Sequence, residues 1–257
     1  MIVPIVFLIL CIIGFFFSGL SFNFLIQEMI IRLARNSVLV LSLIIPVITG
    51  MGLNFGIVLG AMAGQIALII ITNFSIAGGW GFFLSIVIST PIAILFGFLV
   101  GRVLNKAKGK EMITSMILGF FANGVYQLIF LLLAGTLIPF KNKDLLLSTG
   151  IGVKNTVDLA NVKSSLDNLI PFHKIHLVLG KYPITTILVV IGLYILVSFF
   201  LKTKLGQEMR AVGQDMHIAE VSGINVDRTR IIAIIISTIL AAWGQIFTKY
   251  RYHEYLW

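Results

Sequence analysis

The sequence predicts an all-α protein, a polytopic transmembrane helical bundle with about seven spans. Three observations carry this. Of 257 residues, 58% are hydrophobic and 11% are charged, whereas a soluble domain carries about 25% charged residues. That is too little charge to cover a water-facing surface. From Asn36 to Gly101 there is no Asp, Glu, Lys or Arg. The basic residues behind the net charge of +9 fall in short clusters between apolar runs, the distribution of membrane orientation rather than of a nucleic-acid surface.

Each span follows from the apolar runs, since crossing takes about 20 residues. The first is Ile2 to Phe22. Met1 to Leu20 lacks a basic leading region and a small-residue cleavage site, so it reads as a retained span rather than a signal peptide. The uncharged stretch after Asn36 is too long for one span. Its breaks are the strings Gly50-Met51-Gly52-Leu53-Asn54-Phe55-Gly56 and Ala77-Gly78-Gly79-Trp80. They divide it into spans at 36–53, 55–73 and 80–101. A fifth span is Met112 to Gly135, a sixth Pro183 to Leu201, and a seventh Ile231 to Phe247.

Orientation follows from the short loops. Arg102, Lys106, Lys108 and Lys110 cluster after the fourth span, and Lys202, Lys204, Arg210, Arg228 and Arg230 between the sixth and seventh. Short Lys/Arg-rich loops stay in the cytoplasm, and span parity puts both clusters and the N-terminus there. Arg32 and Arg35 fall on the outer side, against the rule. The segment 136–182 is also outside. It holds six lysines, but long loops obey the rule weakly, and its polar, irregular make-up predicts a loop-rich cap. The single cysteine, Cys11, excludes an intrachain disulfide and a multi-cysteine metal site.

The loop 202–230 is the most informative segment. Leu205, Met209, Val212, Met216 and Ala219 recur at helical spacing as one apolar stripe, and Gly223 is placed as its stop. An amphipathic helix between two spans either lies on the bilayer surface or lays its stripe in a partner's groove. Glu208, Asp215 and Glu220 argue against simple adhesion to anionic lipid.

The string Gly206-Gln207-Glu208-Met209-Arg210-Ala211-Val212-Gly213-Gln214-Asp215, followed by Ala219 and Gly223-Ile224-Asn225-Val226, resembles the coupling loop of a permease family. These are the ABC importer permeases for simple sugars, nucleosides and branched-chain amino acids. The likeness extends less sharply to Gly52-Leu53-Asn54-Phe55-Gly56 and covers about 36–247. It implies one transmembrane permease domain over 1–257 in the cell membrane. It also implies ATP hydrolysis on a separate ABC ATPase subunit, a second permease subunit (identical or paralogous), and an extracytoplasmic substrate-binding protein. The docking stripe would face the ATPase groove, with Leu205, Gly206, Met209, Arg210, Gly213, Asp215, Met216, Ala219, Glu220 and Gly223 as coupling residues. Asp215 stands where the family commonly has Asn, and Glu220 where a small residue is common. Such permeases usually continue through further spans after the seventh.

Polar residues within spans are costly and often functional. Asn54, Gln65, Asn123 and Gln127 are the candidates for the substrate path, with Asn73 and Gln245 behind them. Asn54 leads because it sits in a glycine-rich break, where free backbone groups can meet a ligand. Amides offer donors and acceptors without charge and suit a polyhydroxyl solute. The competing role for each is an interhelical hydrogen bond that only packs the bundle. Phe55, Phe120, Phe121 and Tyr126 would stack on a sugar or base, or simply face the core or lipid. The central spans hold no charge to pair with an amino acid, and Asn168-Leu169-Ile170-Pro171-Phe172 is similar to the nucleoside and simple-sugar branch.

Two other classes fit the sequence less well. A secondary transporter or channel would want intramembrane ionisable residues, which the central spans lack. A membrane enzyme would need a constellation that His173, His176, His217 and His253, scattered over loops and tail, do not make. No GxxxxGK[ST] phosphate loop occurs, and no cofactor is expected on this chain.

The tail 248–257 turns polar and aromatic after the last span. An interfacial belt is one reading. The other is a C-terminally truncated permease with an out-of-frame tail. One permitted codon choice for Lys249 to Trp257, read one base on, gives NIGTMNTY, which resembles the family's own continuation.

Overall fold

A computed structural model describes residues 2–74, 76, 78–136, 146–147, 151–153 and 184–249. Within them the chain is helical throughout: α1 (Ile2–Ser18), α2 (Phe22–Ile48), α3 (Ile57–Asn73), α4 (Gly78–Lys106), α5 (Glu111–Leu128), α6 (Ile184–Phe200), α7 (Lys204–Gln214), α8 (Met216–Val221) and α9 (Val226–Lys249). One π-helical turn, Ile129–Leu133, extends α5. Among the described residues, four helices are long and apolar enough to cross a membrane, or five if α6 and α7, bent by 77°, count as one span. Val3–Ser18 and Ile57–Asn73 are shorter apolar helices. The all-helical membrane bundle expected from composition is therefore what forms.

The helix ends differ from the hydropathy limits for local reasons. The second helix starts at Phe22, not near residue 36. Ser21 caps it by accepting from the Phe24 N–H, and Arg32 pairs with Glu28 at 2.9 Å one turn away, so these charges ride on the helix instead of ending it. It stops at Ile48, ahead of Gly50 and Gly52, whose φ values of 78° and 68° no helix accommodates. The last helix starts at Val226, ahead of 231, and runs through Lys249. The first two tail residues, Thr248 and Lys249, thus continue α9. The rest of the tail and nearly all of the outer segment 136–182 lie outside the described residues. Of that segment, Thr136 and the short bridge between Leu146 and Val153 are placed.

Helix α9 is the centre of the bundle and packs against α4, α2 and α3. The seam is built from small residues, as helix association in lipid favours. A Cβ on Gly60 would lie 2.6 Å from the Thr238 carbonyl oxygen, and one on Gly64 2.6 Å from that of Ala242. Gly97 of α4 would overlap the Thr238 hydroxyl. That hydroxyl lies 3.1 Å from the Ala93 carbonyl across the seam, and 3.0 Å and 2.8 Å from the Ile234 and Ile235 carbonyls of its own helix, which share its one proton. The Trp243 indole donates to the Thr90 hydroxyl at 3.2 Å. Gly60 and Gly64 form a GxxxG pair that is visible in the sequence. Helix α1, by contrast, is exposed along its whole described length.

Candidate functional site

Between α2 and α3 the chain leaves the helical path for 49–56. The two positive-φ glycines turn it, and Asn54 re-enters the bundle at 2% exposure. The Asn54 Oδ1 accepts from the Gly56 N–H at 2.9 Å, an Asx-type turn that starts α3. Its Nδ2 is buried with no protein partner. The Phe55 N–H donates to the Ser115 hydroxyl of α5 at 3.1 Å. A buried amide whose acceptor side is engaged and whose donor side is open leaves two N–H donors unused by the protein.

The segment 203–226 is two helices, not the single one its stripe predicted. Thr203 caps α7. Asp215 leaves the helix at φ −155°, ψ 115° and caps α8 by accepting from the N–H groups of His217 at 2.8 Å and Ile218 at 3.0 Å. Gly223, at φ 83°, ends it, with the Ile224 N–H returning to the Ala219 carbonyl.

The stripe faces neither a partner nor lipid. Met209 and Val212 are 0% and 1% exposed. Met209 packs with Leu41, Ile45 and Leu201, and Val212 packs with Ala219 and Val226. Leu205 and Met216 are half-buried beside them. Met209 and Val212, expected to face a groove on an ATPase, are here covered by the chain's own helices. The ends of α2, α6 and α9 supply an apolar floor, and the stripe covers it. Two glycines allow the close approach. A Cβ on Gly206 would lie 2.5 Å from the Leu201 Cα, and one on Gly213 would overlap the Ile48 carbonyl oxygen beside Gly50. What remains outward is Arg210, Gln214, His217, Glu220 and two apolar residues, Ile218 at 65% and Val221 at 77% exposure.

The N–H groups of Ile218 and His217 hold the Asp215 carboxyl below the usual carboxylate range. A lowered folded value means the cap is strongest above that range and is lost as pH falls through it. Asn and Asp are comparable caps, so Asn at this position serves the same turn. Asp215→Asn should leave amide-exchange protection at Ile218 unchanged and remove its acid sensitivity, whereas Asp215→Ala should lose the protection at neutral pH.

Beneath this segment lies a buried charge cluster. Arg230, on the first turns of α9, is 0% exposed. Its Nη2 meets the Glu111 Oε1 at 2.5 Å, its Nε donates to the Asn105 Oδ1 at 3.0 Å, and its Nη1 to the Met216 Sδ at 3.1 Å. The Asn105 amide donates to the Asp227 carbonyl at 2.8 Å, and Lys108 pairs with Asp227 at 2.6 Å. One guanidinium thus ties together α4, α5, α8 and α9.

Residues 22–251 match the model of the family described as "Branched-chain amino acid transport system / permease component". The chain belongs to this family. Comparison with curated proteins and with solved structures returns no match. A permease component of this class is the membrane-spanning part of an ABC importer and is not itself catalytic. An ATPase and a substrate-binding protein are its general partners.

Of the permease's four expected path residues, only Asn54 is buried. Gln65 is half-buried on α3, and Asn123 and Gln127 lie on the exposed side of α5. Phe55, Phe120 and Phe121 are exposed, the last two at 69% and 68%. Tyr126 stacks on Phe130 with ring centroids 4.4 Å apart. Arg230, Glu111, Asn105 and Ser115 were not singled out as site residues. Arg230 had been counted with the loop cations that set orientation. The available signal was a lone acidic residue, Glu111, opening an otherwise uncharged span.

Proposed function

We propose that this permease passes a neutral polyhydroxyl solute, a nucleoside or simple sugar, driven by an ATPase that docks on the outward face of 203–226. The open donors of Asn54, buried in a broken stretch between two apolar helices, carry the solute reading. Hydroxyl and ring oxygens accept from such an amide, and no charged side chain from Asn36 to Gly101 is there to pair with a zwitterion. Gln65, Asn123 and Gln127 would extend the path, the last two where a second permease subunit covers α5. The basic clusters at 102–110 and 202–230, and the N-terminus, face the cytoplasm in this reading. A separate binding protein delivers the solute from the other side.

The docking surface is Ile218 and Val221, exposed and apolar, framed by Arg210 and Glu220. Gly206, Leu205, Met209, Gly213, Met216 and Ala219 line the inner side of 203–226, and Asp215 and Gly223 set its turns. Val221→Asp is therefore expected to abolish co-purification of the ATPase at unchanged permease stability. Met209→Asp instead buries an unpaired charge and disrupts the segment itself.

Uptake into proteoliposomes holding the whole transporter tests the solute. Tritiated uridine, ribose and leucine are compared with Asn54→Leu and Asn54→Ser. The serine variant keeps an acceptor for the Gly56 N–H and replaces the two amide donors by a single, shorter-reaching hydroxyl. Both variants should lose at least tenfold of uridine or ribose uptake with the ATPase still bound. Normal uptake by Asn54→Ser would take the amide out of the path, and uptake of leucine alone would replace the polyhydroxyl solute by a branched-chain amino acid.

A further inference from the structure

The geometry points to the 49–56 break as the element that the coupling segment moves, with Arg230, Glu111 and Ser115 as positioning residues between the two. This rests on the reading of 203–226 as the ATPase contact. Two independent connections converge on the break. The first is main chain on main chain. The end of α7 seats Gly213 against the Ile48 carbonyl and Gly50, with no room for a Cβ on Gly213, and one on Gly50 would lie 2.9 Å from the Gly213 Cα.

The second runs through α5. Arg230 holds Met216 of α8 by one guanidinium nitrogen and Glu111, the first residue of α5, by another. Residues four apart share a helix face, and the buried residues of α5 are Glu111, Ser115 and Gly119, a single stripe at that spacing. Each has a defined contact. Glu111 meets Arg230, and the Ser115 hydroxyl accepts the Phe55 N–H. Gly119 leaves space for the Phe55 carbonyl oxygen, which would lie 3.2 Å from a Cβ there. The inward stripe of α5 is thus fixed at one end to the charge cluster under the coupling segment and further along to the Phe55 N–H, with Gly119 packed close to the Phe55 carbonyl. Phe55 adjoins Asn54. A helix is stiff over the roughly 6 Å separating Glu111 from Ser115, so a shift of Arg230 with α8 reaches the peptide that places the Asn54 amide.

The test follows the break itself and needs no transported solute. In a Cys11→Ser background, Leu53→Cys, at a 48% exposed position, is labelled with a nitroxide. The complete permease–ATPase complex is reconstituted. The probe's spectrum is recorded with ADP and then with a non-hydrolysable ATP analogue, and ATPase affinity is measured in parallel. The parent's spectrum should change with nucleotide. Ser115→Ala and Glu111→Gln should each reduce that change at least twofold while binding the ATPase as the parent does. The double variant should fall no further than the weaker single, because both lie on one path. Parent-like responses in both singles would overturn the proposal, as would independent, multiplicative losses in the double or a parent that does not respond while the ATPase is bound. A parent that fails to bind the ATPase at all would instead refute the docking reading and this inference with it.

Discussion

Arg230→Met is expected to destabilise the permease by about 3–5 kcal/mol, the usual cost of breaking a buried ion pair from one side. The loss is not that of one attraction. The Glu111 carboxylate, 9% exposed, would stay buried without its counter-charge, and the Asn105 carbonyl would lose its donor. Glu111 would have to take up a proton or draw in water, and either route loosens the start of α5. Adding Glu111→Leu to Arg230→Met should recover most of the loss, since replacing both partners removes the orphaned charge. Thermal unfolding in detergent, read for both singles and the double, gives the cycle. A single variant as stable as the parent would mean the pair bears no weight.

Gly97→Val should cost about 3 kcal/mol, the upper end of the ordinary overpacking penalty, and could prevent assembly of the seam. A Cβ there would overlap the Thr238 hydroxyl and lie 2.8 Å from the Ile235 Cα, so α4 and α9 must part along a main-chain contact that no rotamer change relieves. Separation also takes the Ala93 carbonyl out of reach of the Thr238 hydroxyl, a small loss because the Ile235 carbonyl at 2.8 Å still accepts its proton. Gly124→Val and Gly192→Val are the controls, because nothing lies within 4 Å of a Cβ at either. Both should melt with the parent. Equal melting of Gly97→Val and Gly124→Val would show that the seam is not close-packed.

The apolar helices were legible because lipid imposes a coarse, one-dimensional rule on composition. Their ends were not. Ser21, a one-turn ion pair and two positive-φ glycines set the limits of α2, and hydropathy weighs none of these. The stripe Leu205–Ala219 was legible as a face, but periodicity does not say what covers a face. The span ends that cover it come from the flanking α6 and α9 and from α2, which is far away in sequence. The same holds for Arg230. Its partner Glu111 is 119 positions off, so counting charges by loop made it a topological marker and hid its pairing. Asn54 was found because a run of glycines around one amide is a local signal. The Gly60–Gly64 pair was equally local and went unused.

The junction of Gly213 with Gly50 contains no side chain on either side of its closest approach. Contacts between long side chains have slack: a displacement of a few tenths of an ångström is taken up by a torsion and vanishes. Here the surfaces are a carbonyl and two α-carbons, so a displacement can be absorbed only by main-chain torsions. If α7 is moved as inferred above, its strokes would reach the turn after α2 without passing through any side chain. The junction is also blind to chemistry. Substitutions elsewhere on α7 leave this junction as it is, so long as both positions remain glycine.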